Sequence, residues 1–297
     1  MIWLLPAALC SITIALILKV NERRGGNRIA VAGANYIVAS AIAFVLVAAN
    51  VGGAGALSSG AGAFQRPGAA TLALGAAEGI VYVLGFLLLM AGIARMPLAV
   101  PVTVARLSVV LPVAVAILLW AEKPGLFQWL GFALGLAAIA LFGASFSGAG
   151  RSSREGIGPR GGSSLLVIGI FIVLGLGDVL LKAFREMCPD VHRLTFTFIL
   201  FTVAAAFTWL LVLARGIRID RGTFALGCLL GVPNLFSTVF TLLALRTVPA
   251  SIAFPFINLT VIGGTTLLGF AIWKERLRGM SAAGLVAAAV AILFLSR

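Results

Sequence analysis

The second half of this chain repeats the first, and the repeated unit contains an odd number of long apolar runs. Leu107 to Gly143 carries Trp120-Ala121-Glu122, then Gly131 nine residues after the Glu, then a run of Ala, Leu, Ile and Phe. Leu259 to Leu295 carries Trp273-Lys274-Glu275, then Gly284 nine residues after the Glu, then a similar run. Upstream, Arg95-Met96-Pro97 matches Arg246-Thr247-Val248-Pro249, each closing one apolar run and opening the next. Leu18-Lys19 answers Leu181-Lys182 at an offset of 163, against about 152 for the later pairs; a longer connection, Val51 to Gly68 against Arg215 to Gly222, absorbs most of the difference. If each half crosses a bilayer five times, the second half must enter from the opposite side, and the two become inverted repeats of the kind found in alternating-access carriers.

The membrane follows from composition. With 61% hydrophobic and 10% charged residues and a mean hydropathy of +1.15, the chain lacks the polar surface a water-soluble protein needs. A span takes roughly 17 to 25 mostly apolar residues, and ten stretches qualify: Trp3 to Val20, Ile29 to Asn50, Ala69 to Ala94, Leu98 to Ala121, Leu126 to Phe146, Ser164 to Met187, Leu194 to Ala214, Thr223 to Leu245, Ala250 to Ile272 and Met280 to Leu295. Their uninterrupted runs lack the alternation of barrel strands, so the expected fold class is all-α, a polytopic membrane protein with ten transmembrane helices in two inverted five-helix repeats. Residues 1–146 form the first repeat, 147–163 a Gly/Ser-rich linker and 164–297 the second. The first run lacks a basic n-region and a small-residue cleavage site and reads as a retained span. Cys10, Cys188 and Cys228 have no metal-ligand spacing and read as small packing residues.

A net charge of +13 points to nucleic acid in a soluble chain; here the cations sit in short connections and act as topology signals. Those after runs one, three, five, seven and nine hold about twice as many Lys and Arg as the other side, which makes the richer side cytoplasmic and puts both termini outside.

These residues resemble the ten-span drug/metabolite transporter (DMT) superfamily, in particular the EamA-like transporters. The resemblance rests on the duplicated segment in which a small-residue helix opens after Pro, runs to a Glu and is followed by Gly in the next helix: Pro97 to Glu122 with Gly131, and Pro249 to Glu275 with Gly284. It implies a carrier whose cavity is walled by spans 1 to 4 and 6 to 9, with spans 5 and 10 peripheral. It also implies cytoplasmic termini, opposite to the charge count.

Ionisable groups at bilayer depth cost at least a few kcal/mol unless paired or hydrated, so each is a functional candidate. Glu78 and Asp178 each lie about nine residues from a span end, roughly 14 Å deep at 1.5 Å per residue. Asp178 and Lys182 are spaced i, i+4, which allows an ion pair on one helix face; Lys182 is also near enough to the interface to snorkel. Glu78 has no charged neighbour on its own run, and desolvation favours its neutral form, which suits it to exchanging a proton during transport. The fork of Arg106 suits a carboxylate or phosphate; a structural pair with Glu78 or a helix end is the plainer alternative.

Neutral polar groups form a second tier. Asn35, Tyr36, Asn234 and Asn258 need partners in a bundle interior, and Ser108 and Thr103 extend the donor set around Arg106. Pro101, Pro112, Pro233 and Pro255 each remove a backbone bond inside a span, and interrupted helices near the midplane are where carriers bind substrate. A kink satisfied by Ser, Thr or water accounts for any single Pro equally well. Gly131, Gly135 and Gly284 permit close helix contact, as packing or as a homodimer face through spans 5 and 10.

The sole histidine, His192, and Asp190 and Asp220 lie in connections, and no acid, base and nucleophile converge as a membrane-embedded lipid enzyme requires. Channel signatures such as charge rings or repeated filter loops are absent, as is a GxxxxGK[ST] nucleotide loop. The expectation is a secondary transporter, not an enzyme, moving a small polar metabolite by alternating access, with no cofactor, metal or nucleic-acid partner. Its partners are the solute, the bilayer and, if Glu78 exchanges protons, a proton gradient, in a monomer or homodimer of a prokaryotic inner membrane. A multidrug or lipid-linked exporter of the same fold is the alternative. Solute identity, direction and coupling ion are not encoded in any motif.

Overall fold

The computed structural model describes residues 1–49, 67–96, 99–147, 162–273 and 279–296. Pro97, Lys274, Glu275 and most of the two glycine-rich connections lie outside the described residues. Among the described residues eleven α-helices follow one another: α1 (Leu4–Arg23), α2 (Arg28–Ala48), α3 (Ala69–Arg95), α4 (Ala99–Leu107), α5 (Val110–Leu119), α6 (Leu126–Ser147), α7 (Gly162–Met187), α8 (Arg193–Ala214), α9 (Arg221–Ala244), α10 (Ala250–Trp273) and α11 (Gly279–Leu295). No strand occurs among the described residues. Among the described residues eight apolar helical segments are long enough to cross a membrane, and the fifth and tenth expected spans are the shorter apolar helices Leu126–Phe142 and Ala282–Leu295.

The fourth expected span is one apolar segment, Val100–Leu119, broken at Ser108-Val109 into α4 and α5. Pro112 has no N–H to give the Ser108 carbonyl, which instead accepts from Leu111 N at 2.9 Å. The Ser108 hydroxyl donates to Ala105 O at 2.7 Å, closing the last turn of α4. Pro233 and Pro255, by contrast, are carried inside continuous helices. Pro101 corrects the sequence reading: it sits in the first turn of α4, where its missing N–H is an orphan donor in any helix and no bond is lost.

Helix ends on one set of connections are capped by their own sequence. Asn27 accepts from Ile29 N and Ala30 N at the start of α2. Asp220 does the same for α9, and its carboxyl is held below the ordinary range first by the Thr223 hydroxyl and then by the Thr223 N–H. Gly25 and Gly216 follow α1 and α8 with φ of +68° and +59°, the left-handed turn that ends a helix.

The chain forms two compact units, and neither is a half of the sequence. The first comprises Met1–Val83 and Leu180–Thr247; the second comprises Leu84–Val179 and Val248–Arg297. In the first, α2 packs on α8 and α9, and α1 packs on α9. In the second, α6 packs on α11, and α10 lies against α5, α6 and α11.

Glycines set these approaches. A Cβ at Gly75 or Gly79 of α3 would lie 3.2 Å from Phe196 O or 2.6 Å from Leu200 O on α8. At Gly227 or Gly231 of α9 it would lie 2.7 Å from Val31 O or 2.8 Å from Asn35 O on α2. The later pair follows the earlier by 152 positions. In the second unit Gly131 faces Ala291 O at 3.0 Å, Gly284 faces the Phe142 ring at 3.3 Å and Ala138 O at 3.4 Å, and Gly135 faces Leu259 at 3.0 Å. These three glycines are therefore occupied in packing within the chain.

Because backbone cannot retreat as a flexible side chain can, Gly79→Ala and Gly231→Ala are each expected to destabilise by about 1–3 kcal/mol. Gly169→Ala, whose new Cβ would meet only Leu88 methyls at 3.6 Å or more, is expected to be neutral. Thermal melts of the detergent-solubilised protein distinguish them.

Candidate functional site

Two groups of polar side chains lie on the apolar helices, one in each unit. In the first unit, Asn234 follows Pro233 on α9 and donates from Nδ2 to Asn35 Oδ1 of α2 at 3.1 Å, while its own Oδ1 accepts from the Tyr82 hydroxyl of α3 at 2.8 Å. Asn35 and Asn234 are buried, so the bond between them forms where water does not compete. Tyr36, Tyr82 and Phe201 surround this network, with ring centroids 5.8 to 6.2 Å apart and the two tyrosines edge to face. Glu78 precedes Tyr82 by one helical turn on α3 and is 1% exposed.

In the second unit, Arg106 in the last turn of α4 donates from Nη1 to Asn258 Oδ1 of α10 at 3.2 Å. Asn258 Nδ2 donates in turn to Phe254 O at 3.1 Å, which orients its amide oxygen towards the guanidinium. Asp178 lies on α7 in the same unit. Asn258 also borders a narrow, wholly apolar crevice lined by Val109, Phe132, Leu136, Pro255 and Leu259. The break between α4 and α5 ends the helix just after Arg106, and only one of its donors is taken up by Asn258.

Tyr82 and Asn234 are 152 positions apart, and so are Arg106 and Asn258. That is the offset of the duplicated Pro97 and Pro249. Each hydrogen bond thus joins a residue to the one at the matching position of the other sequence half. Arg106, Asn234 and Asn258 stand out individually in the sequence, whereas Tyr82 does not; applying the offset to every polar residue finds both pairs.

The remaining sequence candidates are placed as follows. Lys182 Nζ donates to Glu186 Oε1 at 2.5 Å, the residue one turn after it on α7. Ser108 is buried and committed to Ala105 O. The Glu of the first duplicated motif has a role that spacing alone does not suggest. Ala121 adopts φ +51° immediately after α5, an unfavourable conformation for a residue with Cβ. The carboxylate of the next residue, Glu122, then accepts from Ala250 N at 2.9 Å, Ser251 N at 2.9 Å and the Ser251 hydroxyl at 2.7 Å. A chain segment remote in sequence so caps the N-terminus of α10, matching the orphan donors and the positive end of the helix dipole.

Residues 162–297 match the EamA-like transporter family. The resemblance read from the duplicated segments is thus borne out over the second half. No curated protein matches the chain. One solved structure, described only as "Crystal structure of protein", aligns with 98% of this chain and 98% of its own length, with a TM-score of 0.71 and 16% identity. Likeness at that identity concerns the fold, which the two chains share along almost their whole length. The chain is accordingly a multi-pass integral membrane protein.

Asn234→Leu leaves buried partners unmatched and is expected to cost about 1–3 kcal/mol, with Asn35→Leu/Asn234→Leu together costing less than the sum of the single changes. Glu122→Ala removes the cap of α10 and is expected to cost about 0.5–2 kcal/mol. Both are read from chemical unfolding in micelles.

Proposed function

We propose that the protein is a secondary transporter that moves a small polar metabolite across a prokaryotic inner membrane by alternating access, and that residues 1–146 and 164–297 are inverted five-helix repeats. The observation that carries this reading is the pair of hydrogen bonds Tyr82–Asn234 and Arg106–Asn258, each linking positions 152 apart. Two residues related by a two-fold axis touch one another only beside that axis. In an inverted-repeat carrier the axis lies in the membrane plane, close to where solute binds at midplane.

Packing supports the same relation. Ser237 on α9 meets Ser11 on α1 at 2.8 Å in the first unit. In the second unit Gly85 on α3, 152 positions before Ser237, meets Leu174 on α7, which stands 163 positions after Ser11. Both sequence offsets recur in one contact.

The solute class follows from chemistry. Arg106 presents guanidinium donors beyond the one given to Asn258, which suits a carboxylate or phosphate. In the first unit, Asn35, Tyr36, Tyr82 and Asn234 are the neutral polar candidates and Glu78, buried in α3, is the candidate proton carrier. A small zwitterionic or anionic metabolite, such as an amino acid, fits the Arg106 fork best.

Proteoliposome flux, with amino acids, sugar phosphates, nucleobases and cationic dyes, tests the reading. Arg106→Ala is expected to lower transport of the anionic or zwitterionic solute by about tenfold or more, since hydrogen bonds to charged groups contribute about 1.5–3 kcal/mol. Glu78→Gln is expected to abolish dependence on a proton gradient. Wild-type flux in both variants removes these residues from the site, and transport of dyes alone selects the multidrug reading.

A further inference from the structure

We propose that the end of the first unit where α7 turns into α8 binds the phosphate of an anionic lipid headgroup. The turn is a short 3-10 segment, Asp190–His192, between Met187 and Arg193. Asp190 Oδ2 accepts from Arg193 Nη1 at 2.6 Å and lies 3.3 Å from Arg246 Nη1, which comes from the connection between α9 and α10. One carboxylate is therefore shared by two guanidiniums. A turn earlier, Lys182 is matched by Glu186, but Arg185 adds a third guanidinium, and its Nε is buried with no hydrogen-bond partner among the described residues. The Nε of Arg193 is in the same condition.

Around Asp190 the local charge is thus unbalanced, one carboxylate against the guanidiniums of Arg193 and Arg246. A buried donor without an acceptor is costly, and the Nε groups of Arg185 and Arg193 are two such donors among the described residues. A phosphate brings several acceptor oxygens in the geometry a guanidinium fork matches. Arg246 remains 47% exposed, so the cluster is open to a ligand.

Lipid, not a free anion, is indicated by the apolar neighbours. Met187 and Val191 flank the cations and are 65% and 43% exposed. They lie at the end of a membrane-spanning helix, the level at which headgroups sit above acyl chains. A dissolved anion has no use for them, whereas a phospholipid places its glycerol and upper acyl chain against such side chains while its phosphate meets the guanidiniums.

The test uses the full chain in phosphatidylcholine vesicles, with and without phosphatidylglycerol, read as the thermal unfolding midpoint. Phosphatidylglycerol is expected to raise the midpoint of the wild type, and the rise is expected to be lost in Arg185→Gln/Arg246→Gln but kept in Arg28→Gln, a change at a different connection. No rise in the wild type, or an undiminished rise in the double variant, overturns the proposal. An equal rise with inorganic phosphate in phosphatidylcholine alone assigns the cluster to a soluble anion and overturns the lipid. Should the double variant not fold, native mass spectrometry of the wild type decides: retention of phosphatidylglycerol over phosphatidylcholine supports the site, and equal retention ends it.

Discussion

Hydrocarbon offers no hydrogen bonds, and every polar group this chain carries into it must find a partner inside the protein. That constraint makes the long apolar runs helices, and it also governs their exceptions. Where Pro112 removes a donor, Ser108 redirects its hydroxyl and carbonyl within the same turn. Where Asn234 enters the first unit, Asn35 and Tyr82 meet it. Where α10 begins, its first N–H groups are met by a carboxylate carried from the end of α5. In each case the group that relieves the cost also determines how two helices register, so polar satisfaction and architecture are a single requirement here.

Close backbone approach is the second determinant. Lipid tails are as apolar as the side chains they replace, so helices associate through packing that small residues permit. Gly75, Gly79, Gly227 and Gly231 bring α3 against α8 and α9 against α2 to distances at which a Cβ would meet carbonyl oxygens. These contacts cross between the halves of the sequence, which is why the compact units mix segments from both. They also leave helices α3 and α7 with one end in each unit.

The two polar pairs unite these themes. Arg106 with Asn258 and Tyr82 with Asn234 occupy matching positions but differ in chemistry, one side cationic or phenolic and the other an amide. A duplicated chain preserves its packing residues at both copies because both copies pack alike. In each of these pairs, however, a residue's neighbour is its own counterpart, and two like charges there would repel. Divergence into complementary partners, donor on one copy and acceptor on the other, is the physical outcome.

Much of this was legible in the chain itself. Hydropathy marks the helical segments, since about twenty apolar residues have no other stable form in a bilayer, and the duplicated Trp-x-Glu and Gly positions reveal a repeated unit. The deep polar residues Glu78, Arg106 and Asn234 are conspicuous because such groups are costly in lipid. Partnership was decided only by tertiary structure. The sequence gives Tyr82 no distinction and makes Glu122 a marker without a task. Which carboxylate meets which donor depends on how helices from distant parts of the chain are brought within about 3 Å, and periodicity along a single helix carries no information about that distance.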